Sequence, residues 1–299
     1  VDLTALAGCL SATACTVTQV SSGLLMGMLL FLVASGLSLI FGVLGIVNFA
    51  HGSFYMLGAY FAYAGYTATE SFLVALAAGT LGMALFGAVF ERLFISRIYG
   101  RDVLMQLLLC YAFVLILDDV VKIVWGANYL LMRIPPAFAL PPLFIGGGAI
   151  PVYYAFLIGV SAAVGLLLWF GITKTRFGKT VRAAAINPQM VSALGVNTKL
   201  LYTSVFAVGS LLAGAAGALA APVRSLTPGM GLSILIESFI VTVIGGMGSI
   251  VGALVASILI GLTRAFGSIG FPLFVDGLMF TIMALVLILK PSGLFGRQV

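Results

Sequence analysis

Charge is what this sequence has least of. Only 7% of its 299 residues are Asp, Glu, Lys or Arg, where a soluble globular chain carries about a quarter. So few charges cannot cover a water-exposed surface, and a soluble domain is excluded. Histidine occurs once, as His51, and cysteine three times, as Cys9, Cys15 and Cys110. Those cysteines have neither metal-ligand spacing nor a histidine beside them, so a zinc site is not expected. No GxxxxGK[ST] loop is present, so the chain does not itself cradle ATP phosphates in the usual way. No acidic residue lies near His51 in sequence, which leaves a Ser-His-Asp constellation without partners, and the chain is not expected to be an enzyme. Alternating ten-residue strands, the mark of a membrane barrel, are missing too.

What remains is apolar: 62% hydrophobic residues and a mean hydropathy of +1.25. The runs between charges are about 20 residues long, enough for a helix to cross roughly 30 Å of hydrocarbon. They predict an all-α, polytopic transmembrane helix bundle of eight or nine spans. The runs are 20–41, 50–66, 72–90, 103–125, 151–172, 200–221, 232–247, 249–266 and 273–289. The second and seventh are the weak ones, and each is readable as a re-entrant segment or a broken helix. Residues 20–299 form one transmembrane domain, preceded by a small extracytoplasmic segment, 1–19. There Leu6-Ala7-Gly8-Cys9 mimics a lipoprotein cleavage site without the basic and apolar regions such a site needs. Cys9 and Cys15 would pair only if that end faces an oxidising compartment.

The net charge of +6 is no nucleic-acid signal, because five of the fourteen basic residues sit in one loop, 174–199. Basic loops mark the cytoplasmic side. Residues 91–102 and 173–199, with Lys290 and Arg297, are therefore expected inside. The proline-rich loop 126–150, with its Gly146–Gly148 triplet, is expected outside as a stiff, non-helical structure.

Few polar groups interrupt the apolar runs, and each has two readings. Asn48, His51 and Ser53 lie among Gly42, Gly45, Gly52 and Gly58. They either satisfy backbone groups freed by a helix interruption or line a translocation pathway. Glu237 either pairs with Arg224 or Arg264 or presents a charge to an outward cavity. Asp118, Asp119 and Lys122 suit an interfacial network, and Asp276 suits a structural pair with Arg264. Ser38, Gly42 and Gly45 on one helix, and Gly209, Ala213, Gly217 and Ala221 on another, are spaced for close helix packing.

The loop 173–199 holds more than a positive-inside signal. Arg176, Lys179 and Arg182 recur every three residues on one face of a short helix. Asn187-Pro188 reads as N-cap and first position of a second helix, and Gly195 as its stop. Met190, Val191 and Leu194 line one face of that helix, the form a segment takes when it plugs into a partner's groove.

Three stretches carry a family resemblance. LIFGVLGIVNFAHGSFYMLGAY within residues 36–60 closely resembles the N-terminal signature of branched-chain amino acid ABC transporter permeases, in particular the LivH type. TRFGKTVRAAAINPQMVSALGVN looks like that family's cytoplasmic coupling loop, and PGMGLSILIESFIVTVIGGMGSIVGALVASILIGL like its glycine-rich C-terminal block. Residues 1–19, with two cysteines, depart from the usual family start. The resemblance implies a non-catalytic importer subunit in a bacterial inner membrane that works by alternating access. Implied partners are a second, LivM-like permease, two LivG/LivF-type ATPases that bind the ATP and Mg²⁺, and a periplasmic substrate-binding protein; no cofactor is implied in this chain. Arg182, Ala183, Asn187, Met190, Leu194 and Gly195 fall in the ATPase-coupling loop. Asn48 and His51 match the NFAHG motif, and with Ser53 and Glu237 they are the pathway candidates. Related permeases for urea and short-chain amides share the scaffold, so those substrates stay open. A proton-coupled secondary transporter built on Glu237, Asp118 or Asp119 is the competing mechanism.

Overall fold

Each of the nine apolar runs folds as a helix. The computed structural model describes residues 3–296. A short helix α1 (Leu3–Ser11) leads into α2 (Thr13–Leu44), α3 (His51–Thr69), α4 (Phe72–Leu93) and α5 (Val103–Trp125). After a loop come α6 (Val152–Lys174), α7 (Arg176–Ile186), α8 (Pro188–Ala193) and α9 (Thr198–Ala220), then α10 (Met230–Gly245), α11 (Ile250–Gly270) and α12 (Val275–Leu289). Five of these, α2, α4, α6, α9 and α11, are long and apolar enough to cross a membrane, and α12 becomes a sixth when counted with the 3-10 turn before it, as Pro272–Leu289. Helix α10, at 16 residues, spans about 24 Å at 1.5 Å per residue, short of a full crossing. That length fits the broken or re-entrant reading of 232–247.

The bundle is organised around α2. It packs along α11, α9, α6 and α10 and is buried almost continuously from Leu25 to Ile40. A helix apolar all round belongs in the middle of a bundle, and the uniform hydrophobicity of 20–41 is the cause. Its stripe of small residues receives the tight turn between α10 and α11, where Ser38 Oγ accepts a 3.0 Å bond from the Gly248 amide. The four-residue repeat on α9 is the second close contact. A Cβ on Gly217 would run into the Tyr55 carbonyl of α3, so any larger residue there pushes the two helices apart.

One end of the bundle gathers the basic loops. The loop after α4 touches the start of α9 through Tyr99 and Tyr202, with ring centroids 5.4 Å apart. At the opposite end the loop 126–150 is indeed stiff. It contains a single 3-10 turn (Pro136–Phe138) and a hairpin of β1 (Leu143–Ile145) and β2 (Gly148–Ile150), with Leu143 opposite Ile150. Gly146 and Gly147 turn that hairpin with φ of +56° and +83°, which side chains with a Cβ resist. Two backbone bonds of 3.0 and 2.9 Å tie Leu130 to Leu226, and Phe138 packs on Phe72 and Tyr153.

Three expectations change. The first long helix begins at Thr13, inside the segment read as a surface stretch, because the Thr16 and Thr18 hydroxyls there bond back to carbonyls of the preceding turn. Cys9 and Cys15 form a disulfide, with Cα atoms 5.2 Å apart across the α1–α2 corner. Arg264 pairs with Glu237, and among the described residues Asp276 forms no ion pair. Asp118, Asp119 and Lys122 do form the expected local network, at 2.7 and 3.0 Å. Arg297 lies outside the described residues.

Candidate translocation site

The chain leaves α2 at Gly45, whose φ of +68° ends the helix, and takes up α3 at His51. Between them the backbone is not helical, yet Ile46, Asn48 and Ala50 are fully or almost fully buried. Irregular backbone at membrane depth survives only when protein covers it and side chains satisfy it. Asn48 does the second job: its Oδ1 accepts from the Ala50 amide at 3.1 Å, and its carbonyl accepts from His51 N at 3.1 Å. Phe49 stacks on Phe239 of α10, and the Cys110 thiol of α5 faces the Phe49 and Ala50 backbone. Helix α3 thus starts inside the bundle.

His51 is completely buried and reaches across to α2, where its Nε2 lies 3.1 Å from the Val33 carbonyl. A carbonyl only accepts, so Nε2 is the donor. The imidazole lies against Gly36, where a Cβ would sit 3.0 Å from Nε2. Two polar atoms of the packet, Asn48 Nδ2 and His51 Nδ1, have no partner among the described residues. Ser53 is buried at the α3–α10 contact beside Gly231. Asn48 and His51 therefore tie down the helix interruption.

Val33 links the packet to the second group. Its side chain lines a small void with Met26, Leu29, Leu30, Tyr55, Ile234, Arg224 and Glu237. The void is about 20 Å³, room for roughly one water molecule. Glu237 sits in the middle of α10, is 6% exposed, and makes an ion pair with Arg264 of α11. Arg224, from the turn after α9, lies beside the Tyr55 hydroxyl and close enough to Glu237 to feel its charge. A carboxylate, a guanidinium and a phenol thus meet among aliphatic side chains. Glu237 thus has its structural partner in Arg264 and also lines this small void. His51 stands behind that cavity's wall, and Asn48 and Ser53 stay outside it.

Sequence reasoning passed over Tyr55 as one more aromatic in an apolar run. The available signal was its place four residues after His51, one helical turn further along α3. If His51 works by bridging α3 to Val33, His51→Gln should keep a donor there and leave uptake within about twofold. His51→Ala should lower stability by about 2–4 kcal/mol through the lost bond and the cavity left behind. Membrane abundance and uptake of both variants check this. Lost uptake by a normally assembled His51→Gln protein would assign the imidazole to transport itself.

The short helix expected after Asn187-Pro188 forms with its cap and its stop as read, but its apolar residues divide, Val191 facing inward and Met190 and Leu194 outward. Thr175 caps α7 by accepting from the Gly178 amide at 3.1 Å, and Asn187 caps α8 by accepting from Met190 N at 2.9 Å. Gly195 ends α8 with φ of +84°. Arg176, Lys179 and Arg182 are exposed, while Gly178, Val181 and Ala184 are buried on the opposite face of α7. Arg182 bends back to donate to the Ile172 carbonyl at the end of α6, a C-terminal cap. Ala183 is exposed, and its carbonyl accepts from the Asn187 amide at 2.9 Å. On α8, Val191 is the buried anchor, and Met190 and Leu194 stand 62% and 79% exposed.

Comparison with known proteins agrees with this anatomy. Residues 19–289 match the family model described as the permease component of branched-chain amino acid transport systems. The chain is 31% identical to the high-affinity branched-chain amino acid transport permease BraD of Pseudomonas aeruginosa, over 93% of this chain and 95% of that protein. It is 27% identical to LivH of Escherichia coli K12 over the same shares. A probable LivH from Methanocaldococcus jannaschii is 26% identical over 90% of this chain and 89% of its own length. A helical bundle interrupted at the NFAHG packet, with a capped short helix at its basic end, is thus matched along nearly its whole length: the chain belongs to the family of branched-chain amino acid transport permeases.

Proposed function

We propose that this chain is one of two membrane-spanning subunits of an ATP-driven importer for branched-chain or similar hydrophobic amino acids. It lies in the bacterial inner membrane with its basic end in the cytoplasm. A periplasmic binding protein delivers substrate to the end carrying the 126–150 hairpin, and two ATPase subunits bind beneath α8. The observation that carries this reading is α8 itself. Val191 fixes the helix to the body while Met190 and Leu194, two large apolar side chains, face outward at the basic end. Solvated loops do not hold such residues in a capped helix, whereas a helix seated in a partner's groove needs them. The substrate class is supported by the names of the relatives and by the cluster of Tyr55, Arg224 and Glu237. Opposite charges flanked by aliphatic walls complement a zwitterion with an aliphatic side chain. The void is closed to a leucine, so entry requires the helices around it to move, as alternating access demands.

The deciding experiment is uptake of labelled leucine into proteoliposomes. The expected result is transport only when ATP, both ATPases, the second permease and the binding protein are present. Transport by the chain alone, collapsing with the proton gradient and indifferent to ATP, would replace this reading with proton coupling through Glu237 or the Asp118–Asp119 pair.

A further inference from the structure

Where α4 ends and α9 begins, at the basic end of the bundle, the surface opens into a cavity of about 660 Å³. This is within the range of small-molecule sites and far larger than the void beside Glu237. Its wall includes Arg92, Ser96, Thr198, Lys199 and Tyr202. Among the described residues neither Arg92 nor Lys199 pairs with a carboxylate. The acid that lines the cavity is already engaged: Glu91, 2% exposed, accepts from the Tyr99 hydroxyl at 2.6 Å and from Thr203 Oγ1 at 2.7 Å. Burial, and then the bond to Glu91, push the Tyr99 hydroxyl well above its ordinary pKa, so it stays a donor. The carboxylate is thereby tied down, and the two cations are left facing the opening. Asn197 caps α9 through the Leu200 amide at 3.1 Å, and the first turn of this 23-residue helix adds its positive end to the same place.

The outer face of α4 shows what reaches this cavity. Leu81, Leu85, Val89 and Leu93 are 62, 69, 46 and 46% exposed and recur every four residues, so they form one apolar ridge along the helix. Arg92, three positions after Val89, continues that face, and Ser96, in the 3-10 turn (Ile95–Arg97) that follows α4, joins it at the cavity mouth. Leu200, 53% exposed, flanks the mouth on the α9 side. An apolar strip about as long as an acyl chain, ending at two unpaired cations and the Thr198 hydroxyl at the membrane boundary, has the form of a phospholipid.

We propose that this cavity holds the phosphate of an anionic phospholipid, with Arg92 and Lys199 on the phosphate, Thr198 as a hydrogen-bond donor, and an acyl chain along the α4 ridge. Basic pockets between helices on the cytoplasmic side suit such headgroups. The site is separate from the docking helix and from the Glu237 cavity, and it does not depend on which solute is carried.

The test is native mass spectrometry of the full chain after a delipidating wash from phosphatidylglycerol-containing nanodiscs. Wild type should retain a phosphatidylglycerol, and R92Q/K199Q at least tenfold less. Both positions are at the surface, so folding should be unaffected, and size-exclusion chromatography checks it. The control R176Q/K179Q removes the same charge from the same end of the bundle and should retain lipid as wild type does. Equal retention by R92Q/K199Q, or equal loss in the control, would overturn the proposal, the latter pointing to general attraction of basic loops to an anionic leaflet. A further arm offers glycerol 3-phosphate as a soluble phosphate. Failure to displace the lipid at millimolar concentration supports the lipid assignment; displacement there would identify a site for soluble phosphate compounds and overturn it.

Discussion

Glu237→Gln is expected to cut uptake more than tenfold while the protein remains in the membrane at reduced abundance. The substitution preserves shape and removes charge. It leaves Arg264 without its counter-ion on α11 and takes the negative member out of the cavity that Arg224 and Tyr55 share. Removing one partner of a buried pair costs about 3–5 kcal/mol. Arg264 is 27% exposed here, so water recovers part of that, and a loss of about 2 kcal/mol is the better expectation. The double variant Glu237→Gln/Arg264→Gln separates the two roles. With neither charge left unpaired, abundance should return to near the wild-type level. Uptake should stay low if Glu237 also meets the substrate's ammonium group. Full recovery of uptake in the double variant would reduce Glu237 to a counter-ion. Labelled leucine uptake, normalised to the amount of permease in the membrane, reads both outcomes.

The partner of Glu237 shows where sequence reasoning stops. Apolar runs bounded by charges give the helices directly, because a chain in hydrocarbon has no cheaper way to satisfy its backbone. All nine appear close to the expected ranges, and the weak segments 50–66 and 232–247 prove unusual for visible reasons. The first begins at His51 inside the bundle, after a buried non-helical turn. The second is simply short. Local chemistry was equally legible: Asn187 caps as its dipeptide with Pro188 indicates, and Gly195 stops the helix. Long-range pairing was not. Arg264 lies 27 positions beyond Glu237, and which of two arginines meets the acid depends on the α10–α11 hairpin angle. Helical periodicity does not report that angle. The same holds for His51, whose acceptor is a backbone carbonyl of α2 and leaves no mark in composition. The cavity at Arg92 and Lys199 joins two loops about a hundred residues apart, which reading each loop alone as a positive-inside signal conceals. Residues 13–19 were misplaced for another reason: threonines lower mean hydropathy but are tolerated in a helix once their hydroxyls bond back to it, as Thr16 and Thr18 do.

Replacing Met190 and Leu194 together by aspartate should abolish ATP-driven uptake with no loss of permease from the membrane. The argument rests on the division of labour within α8. Val191 holds the helix against α7 and α9, and its burial, with the Asn187 cap, keeps α8 folded whether or not a partner is present. Met190 and Leu194 contribute little to that packing, since 62% and 79% of their surfaces face outward. Burying each in a groove would gain about 1.5–3 kcal/mol, and an aspartate placed there would instead bury an unpaired charge. The combined change exceeds the roughly 1.4 kcal/mol that separates tenfold steps in affinity several times over, so co-purification of the ATPase subunits should fall below detection. Val191→Asp gives the contrast. It should loosen α8 itself and reduce permease abundance as well as coupling. Asn187→Ala should cost about 1 kcal/mol of helix stability and weaken coupling only partially. An intact complex and normal uptake in the Met190→Asp/Leu194→Asp protein would remove α8 as the point where ATP hydrolysis reaches the membrane bundle. Since Met190 and Leu194 touch neither the Glu237 cavity nor the His51 bridge, loss of uptake in that variant cannot be ascribed to a damaged pathway.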